Sequence, residues 1–111
     1  MNITESKTAN IVTLSLSGRL DTTTAKAFED RILAHIDSGE RRIVIDLTGL
    51  EYISSAGLRA IIVAAKLLQT AGAEMMLCES RDQVRQVLAL SFRSLLRNYE
   101  SEAEALAAFS R

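Results

Sequence analysis

The stretch Arg42–Leu47, RIVIDL, decides the architecture. It is an almost unbroken apolar run of strand length, the pattern of a parallel strand covered on both faces. Just beyond it lies Tyr52–Leu58, YISSAGL, which leads into a helix expected from about Ala56 to Thr70 and stopped by Ala71-Gly72. Upstream, Ile11–Ser17, IVTLSLS, alternates in its second half and reads as a strand. Residues 3–7 form a short edge strand beside it, with Thr8–Asn10 turning and Gly18 ending the second strand. From about Thr24, the positions Ala25, Phe28, Ile32, Leu33 and Ile36 keep a helical period, until Asp37-Ser38-Gly39 stops it with Gly39 as C-cap.

Downstream, Glu74–Cys78, EMMLC, is another buried strand. Ser80 opens a third helix with Val84, Val87, Leu88 and Phe92 on its apolar face. Leu95–Tyr99 gives a last strand, and Ser101 with Glu104 forms a capping box for a final helix through Ala105, Leu106 and Phe109. Strands and helices alternate as βαβαβ, which predicts an α/β fold with a mainly parallel sheet under helical cover. With no repeat, linker or proline, the 111 residues read as one domain, 1–111.

A net charge of −1, from 13 basic and 14 acidic residues mixed along the chain, gives no reason to expect nucleic acid or an anionic membrane as partner. The start MNITESKTAN lacks the basic start and apolar stretch of a signal peptide, and the longest apolar run, IIVAA at 61–65, is too short to span a bilayer, so no membrane insertion is expected. The single cysteine, Cys78, excludes an internal disulfide, so a reduced, cytoplasmic location is expected.

The adjacent Ser54 and Ser55 pose the functional question. Either could cap the helix. A hydrolase would need a base, but the one histidine, His35, falls near the end of the first helix, and no G-x-S-x-G elbow occurs. Neither glycine-rich nucleotide motif is present, and no Cys, His or carboxylate cluster suggests a metal. Cys78 reads as a small buried hydrophobe. No catalytic residue, metal or cofactor is therefore expected.

A phosphorylation switch fits better. A phosphate on Ser55 would bring about two negative charges to the positive end of a helix dipole, so the fold would accept it while a docked partner would not. At about 100° per residue, Ser55, Arg59, Ile62, Val63, Lys66 and Thr70 share one stripe, opposite Leu58, Ile61, Ala65 and Leu68. Ile62 and Val63 are then either a partner surface or buried under another element.

The run IVIDLTGLEYISSAGLRAI resembles the signature of bacterial anti-sigma-factor antagonists, the single-domain members of the STAS family. LSGRLDTTTA resembles that family's G-x-L-D segment, and TAGAEMMLC its glycine turn and following strand. The resemblance implies the STAS fold, a mixed, mostly parallel sheet of four to five strands with about four helices. It also implies partner switching. The unphosphorylated protein binds an anti-sigma factor/serine kinase of the histidine-kinase-like ATPase class, and phosphorylation at one serine releases it. A metal-dependent serine phosphatase restores the binding form, and the chain itself, a monomer within a heterocomplex, is no enzyme. Ser55 matches the phosphorylated serine. Ser54 stands where many members have aspartate and is a second possible acceptor. Asp21 matches a loop aspartate used in partner binding, or caps the first helix. Gly57 permits close backbone approach, and Asp46 holds loop backbone at the end of its strand. The partner-binding set is thus Asp21, Ser54, Ser55, Arg59, Ile62 and Val63. Two other readings stand beside this one: a non-switching STAS adaptor of a membrane transport complex, and a small-ligand or nucleotide-binding domain.

Overall fold

A computed structural model describes residues 1–91 and 97–109. In chain order it contains β1 (Asn2–Thr8), β2 (Ile11–Leu20), α1 (Ala25–Asp37), β3 (Arg42–Ile53), α2 (Ser55–Thr70), β4 (Glu74–Cys78), α3 (Asp82–Ser91), β5 (Arg97–Tyr99) and α4 (Glu102–Phe109). The strands form one mixed sheet in the order β1-β2-β3-β4-β5. β1 runs antiparallel to β2, and the other neighbours are parallel. The expected α/β architecture with a mostly parallel sheet is therefore present.

The period-two pattern of β3 explains the layering. Ile43, Ile45 and Leu47 join Leu14 and Leu16 of β2, Leu77 of β4, Phe28 and Ile32 of α1, Ile61 and Leu68 of α2, and Val84 and Leu88 of α3 in the main core. Val44 points the other way, into a smaller cluster with Ile11, Met76, Cys78, Ala105 and Phe109, which α4 closes. β3 is thus covered on both faces, as its apolar run requires. Each fully buried Leu, Ile or Phe contributes about 1.5–3 kcal/mol of transfer free energy.

The hairpin between β1 and β2 pairs Thr8 with Ile11, and its two turn residues both have positive φ, Ala9 at 50° and Asn10 at 70°. That is the requirement of a two-residue turn whose twist matches the strands. On one face of the hairpin, Asn2, Thr4 and Ser6 lie opposite Ser17, Ser15 and Thr13. On this face Asn2, Thr4 and Ser6 are exposed, Ser15 and Ser17 half-buried and Thr13 buried.

Several boundaries differ from the sequence expectation. β2 does not end at Gly18 but runs to Leu20, because Gly18, at φ +94°, sits at a register shift within the strand. β3 continues past Leu47 to Ile53. A second register shift lies where Ser15 pairs with Asp46 but Ser17 with Gly49, and the Asp46 carboxylate repairs it. Its Oδ1 accepts from the Thr48 N–H at 3.0 Å and the Thr48 hydroxyl at 2.6 Å, and Oδ2 from Ser15 Oγ at 3.2 Å. Asp46 does hold backbone, then, but within its strand rather than at its end. Among the described residues, Leu33 is the large apolar side chain left exposed, so the buried face of α1 is narrower than its spacing suggests. α3 starts at Asp82, two residues after Ser80. Phe92 and Leu95 lie outside the described residues.

Candidate functional site

The C-terminal ends of β2 and β3, paired through Leu20 and Ile53, converge on the start of α2. The Ser54 N–H donates to the Leu20 carbonyl at 3.0 Å, continuing the ladder by one bond. Ser54 then adopts extended backbone, and its Oγ accepts from the Gly57 N–H at 3.1 Å. Ser54 is therefore the N-cap, a role worth about 1 kcal/mol. Ser55 is the first helical residue, one earlier than expected, and it is exposed. Of the two candidate caps, the structure selects Ser54 and leaves the Ser55 hydroxyl without that task.

Gly57 sets how closely α2 approaches the sheet. A Cβ there would lie 2.2 Å from the Leu20 carbonyl oxygen, 2.8 Å from its carbon and 3.0 Å from Ile53 Cγ1. Only glycine lets the helix start so near the end of β2. A further clamp comes from Gln83 on α3. Its Oε1 accepts from the Ile53 N–H at 3.0 Å, and its Nε2 donates to the Ile53 carbonyl at 2.9 Å. The side-chain amide mimics a neighbouring strand at the residue before Ser54. Arg81 similarly donates to the Thr48 carbonyl. Neither contact was expected from sequence, where both residues read as ordinary polar positions.

Asp21 follows Leu20 directly. Its Oδ1 accepts from the Thr23 N–H at 3.0 Å and the Thr23 hydroxyl at 2.7 Å, while its own N–H donates to Thr24 Oγ1 at 2.9 Å. Its carbonyl accepts from the Ala25 N–H at 2.9 Å. This reciprocal arrangement fixes the turn Asp21–Thr24 ahead of α1; the N-cap of α1 is Thr24, without a side-chain cap bond, so Asp21 orders the approach to the helix and does not cap it. The Thr23 hydroxyl and N–H, with smaller help from Thr24 and Arg19, hold the Asp21 carboxyl below its usual pKa. Oδ2 is 3.7 Å from Arg19 Nε, and the Arg19 guanidinium lies 4.2 Å from the centre of the Tyr52 ring.

Along α2, Ile61, Ala64, Ala65 and Leu68 are buried, Leu58 is half-buried, and Arg59 and Lys66 are exposed. Ile62 and Val63 are half-buried, and Ile62 packs against the main core. Neither is fully covered by another element. No carboxylate occurs in Ser55–Thr70, and neither Arg59 nor Lys66 has an ion-pair partner among the described residues.

The other singled-out residues are elsewhere. His35 Nε2 is 2.6 Å from Glu5 Oε2, and Arg31 pairs with the same carboxylate. Glu5 pairs with Leu14, six residues before Leu20 along β2, so His35 belongs to a site roughly 20 Å away from Ser55. Cys78 is fully buried, and burial, with Asp46 nearby, pushes its thiol up to about 12. No metal-binding group of His, Cys, Asp or Glu occurs among the described residues. A cavity of about 330 Å3 lined by Glu79, Ser80, Arg81, Arg85, Tyr99 and Glu100 contains none of the expected site residues. Among the described residues, no helix is long and apolar enough to cross a membrane.

Comparison with known proteins identifies the family and the fold. Residues 2–105 match the family model described as the STAS domain. A Bordetella bronchiseptica protein named as an anti-sigma factor antagonist, BtrV, is 39% identical over 110 residues, covering 98% of this chain and 95% of that protein. Among solved structures, a Thermotoga maritima protein also named as an anti-sigma factor antagonist superposes with a TM-score of 0.91 at 22% identity, covering 98% and 95% of the two chains. The Bacillus protein SpoIIAA superposes with a TM-score of 0.75 in both its unphosphorylated and its phosphorylated form, at 17% and 19% identity. These pairs cover 99% and 97% of this chain, and 98% and 99% of SpoIIAA. By the family model and by its identity to BtrV, the chain belongs to the STAS-domain family, with anti-sigma factor antagonists among its relatives.

Proposed function

We propose that this chain is a partner-switching regulator controlled by phosphorylation at Ser55. In its unphosphorylated form it binds an anti-sigma factor that is also a serine kinase of the histidine-kinase-like ATPase class. The kinase transfers the γ-phosphoryl group of ATP to Ser55 Oγ; the hydroxyl proton departs, an O–P bond forms and ADP leaves. The modified chain is released, and a metal-dependent phosphatase hydrolyses the ester to restore binding. The chain acts as ligand and substrate in the cytoplasm and catalyses no step.

The observation that carries this reading is the division of labour between the two serines. Ser54 is half-buried with its oxygen committed to the Gly57 N–H, whereas Ser55 is exposed. Ser55 is therefore the better acceptor, and modifying it leaves the cap intact. A phosphate of −1.5 to −2 charge at the first helical position is electrostatically welcome to the helix. Across an interface, the same charge facing a like-charged or desolvated partner surface costs several kcal/mol. A protein of the same fold, SpoIIAA, has been solved in both its unphosphorylated and its phosphorylated form, so this fold is compatible with phosphorylation. The docking surface in this proposal comprises Asp21, Ser54, Ser55, Arg59, Ile62 and Val63.

A paired pull-down from native lysate, with wild type and Ser55→Asp as baits, tests the proposal. Capture of a histidine-kinase-like ATPase by wild type alone supports it. Equal capture of a membrane-transport subunit by both baits would reduce Ser55 to a helix residue and favour the adaptor role.

A further inference from the structure

We propose that Arg59 is the intramolecular counter-ion of the Ser55 phosphate, so that phosphorylation both adds an anion to the docking surface and withdraws a cation that has no ion-pair partner among the described residues. This rests on Ser55 being the modified residue.

Ser55 and Arg59 are four residues apart on α2, which begins at Ser55 and is helical throughout this span. Side chains at that spacing are neighbours, about 5–6 Å apart at Cβ, and an anion N-terminal to the cation is the favourable order. A planar guanidinium also matches phosphate oxygens in a two-pronged geometry that an ammonium cannot reproduce.

Elimination among the nearby cations leads to the same residue. Arg19 is engaged with Asp21 and the Tyr52 ring. Arg81 donates to the Thr48 carbonyl. Lys66 has no ion-pair partner among the described residues, but it lies eleven residues along the helix from Ser55, about 16 Å of rise, beyond the physiological screening length of about 8 Å. Arg59 is exposed, has no ion-pair partner among the described residues, and lies on a helix without a carboxylate. Among the described residues, none competes for it in the unphosphorylated protein. The free guanidinium is available to an acidic partner before modification and is neutralised from within afterwards. The docking face formed by Asp21, Ser55 and Arg59 therefore changes from one charge of each sign to a net negative one.

The test uses the full chain with phosphoserine genetically encoded at position 55, followed by phosphorus-31 NMR through a pH titration. The second ionisation of phosphoserine ordinarily falls near pH 6. A counter-ion worth an ordinary helical ion pair lowers it by roughly 0.15–0.4 pH unit. Arg59→Gln should raise the titration midpoint by that amount relative to the otherwise wild-type phosphoprotein. Arg59→Lys should recover part of the shift, and Lys66→Gln should leave the midpoint unchanged. Identical midpoints with and without Arg59, or an equal rise in Lys66→Gln, would overturn the proposal. Because the phosphate is encoded, this result is independent of whether a cellular kinase modifies Ser55. Failure of that parent reading would instead appear as equal partner capture by the phosphorylated and unphosphorylated chains.

Discussion

Replacing Gly57 by alanine places two physical effects in opposition. Helix propensity favours alanine by up to about 1 kcal/mol in a helix interior, and by less at the third residue of α2. Against it stands a Cβ that would sit 2.2 Å from the Leu20 carbonyl oxygen and 2.8 Å from its carbon. Both are backbone atoms of a paired strand, so no rotamer change relieves the contact, and the helix must retreat by roughly 1 Å. A gap of that size forfeits a quarter to a half of the dispersion well for each contact it opens, and α2 contributes Ala60, Ile61, Ala64 and Leu68 to the core. Overpacking of this kind costs about 1–3 kcal/mol, and disturbing the Ser54 cap on the Gly57 N–H adds up to about 1. The net expectation is a loss of about 2–3 kcal/mol, or a fall in Tm of roughly 10 °C. Urea unfolding followed by circular dichroism measures it. Gly39→Ala is the control: φ is +86° there but a Cβ would meet nothing within 4 Å, so only backbone strain of about 1–2 kcal/mol applies. If Gly57→Ala is as stable as wild type, the close approach of α2 to β2 does not govern this site.

Other substitutions separate the roles of neighbouring residues. Ser54→Ala should cost about 1 kcal/mol by removing the cap, while Ser55→Ala should stay within about 0.5 kcal/mol of wild type; paired denaturation curves decide, and the reverse order would reassign the cap. Gln83→Leu strips partners from both backbone groups of Ile53 and should cost about 1–3 kcal/mol, with amide exchange at Ile53 and Ser54 accelerating in the folded protein. Cys78, buried and with its thiol raised to about 12, should resist a thiol reagent at pH 8 in the native state and react at once in denaturant. Fast native-state labelling would mean that the cover supplied by α4 opens readily.

The periodic features of the chain were legible because burial imposes them. β3 had to be covered on both faces, and α2 had to bury Ile61, Ala65 and Leu68. What escaped were places where a side chain takes over a backbone task. The Asp46-Leu47-Thr48-Gly49 segment looks like a strand end, yet the Asp46 carboxylate supplies the bond missing at the bulge, and β3 continues to Ile53. Gln83 leaves no periodic trace because its job is to imitate a strand at Ile53. At the site, the serine pair was visible, but its division into cap and exposed hydroxyl depends on whether the helix begins at Ser55 or Ala56. The partner-binding role of Asp21 came from family resemblance alone; what brings its segment to the start of α2 is the bond from the Ser54 N–H to the Leu20 carbonyl. Leu33 shows the converse error, an apolar residue at helical spacing that packing does not use.

The most direct measurement is to map the phosphate in partner-bound and free pools of the chain separated from native lysate. Trypsin, cutting after Arg42 and Arg59, releases Ile43–Arg59 with Ser54 and Ser55 together, and fragmentation between them assigns the site. Phosphate on Ser55 in the free pool, and its absence from the partner-bound pool, is the predicted result. Phosphate on Ser54, or equal occupancy of Ser55 in both pools, would contradict the switch.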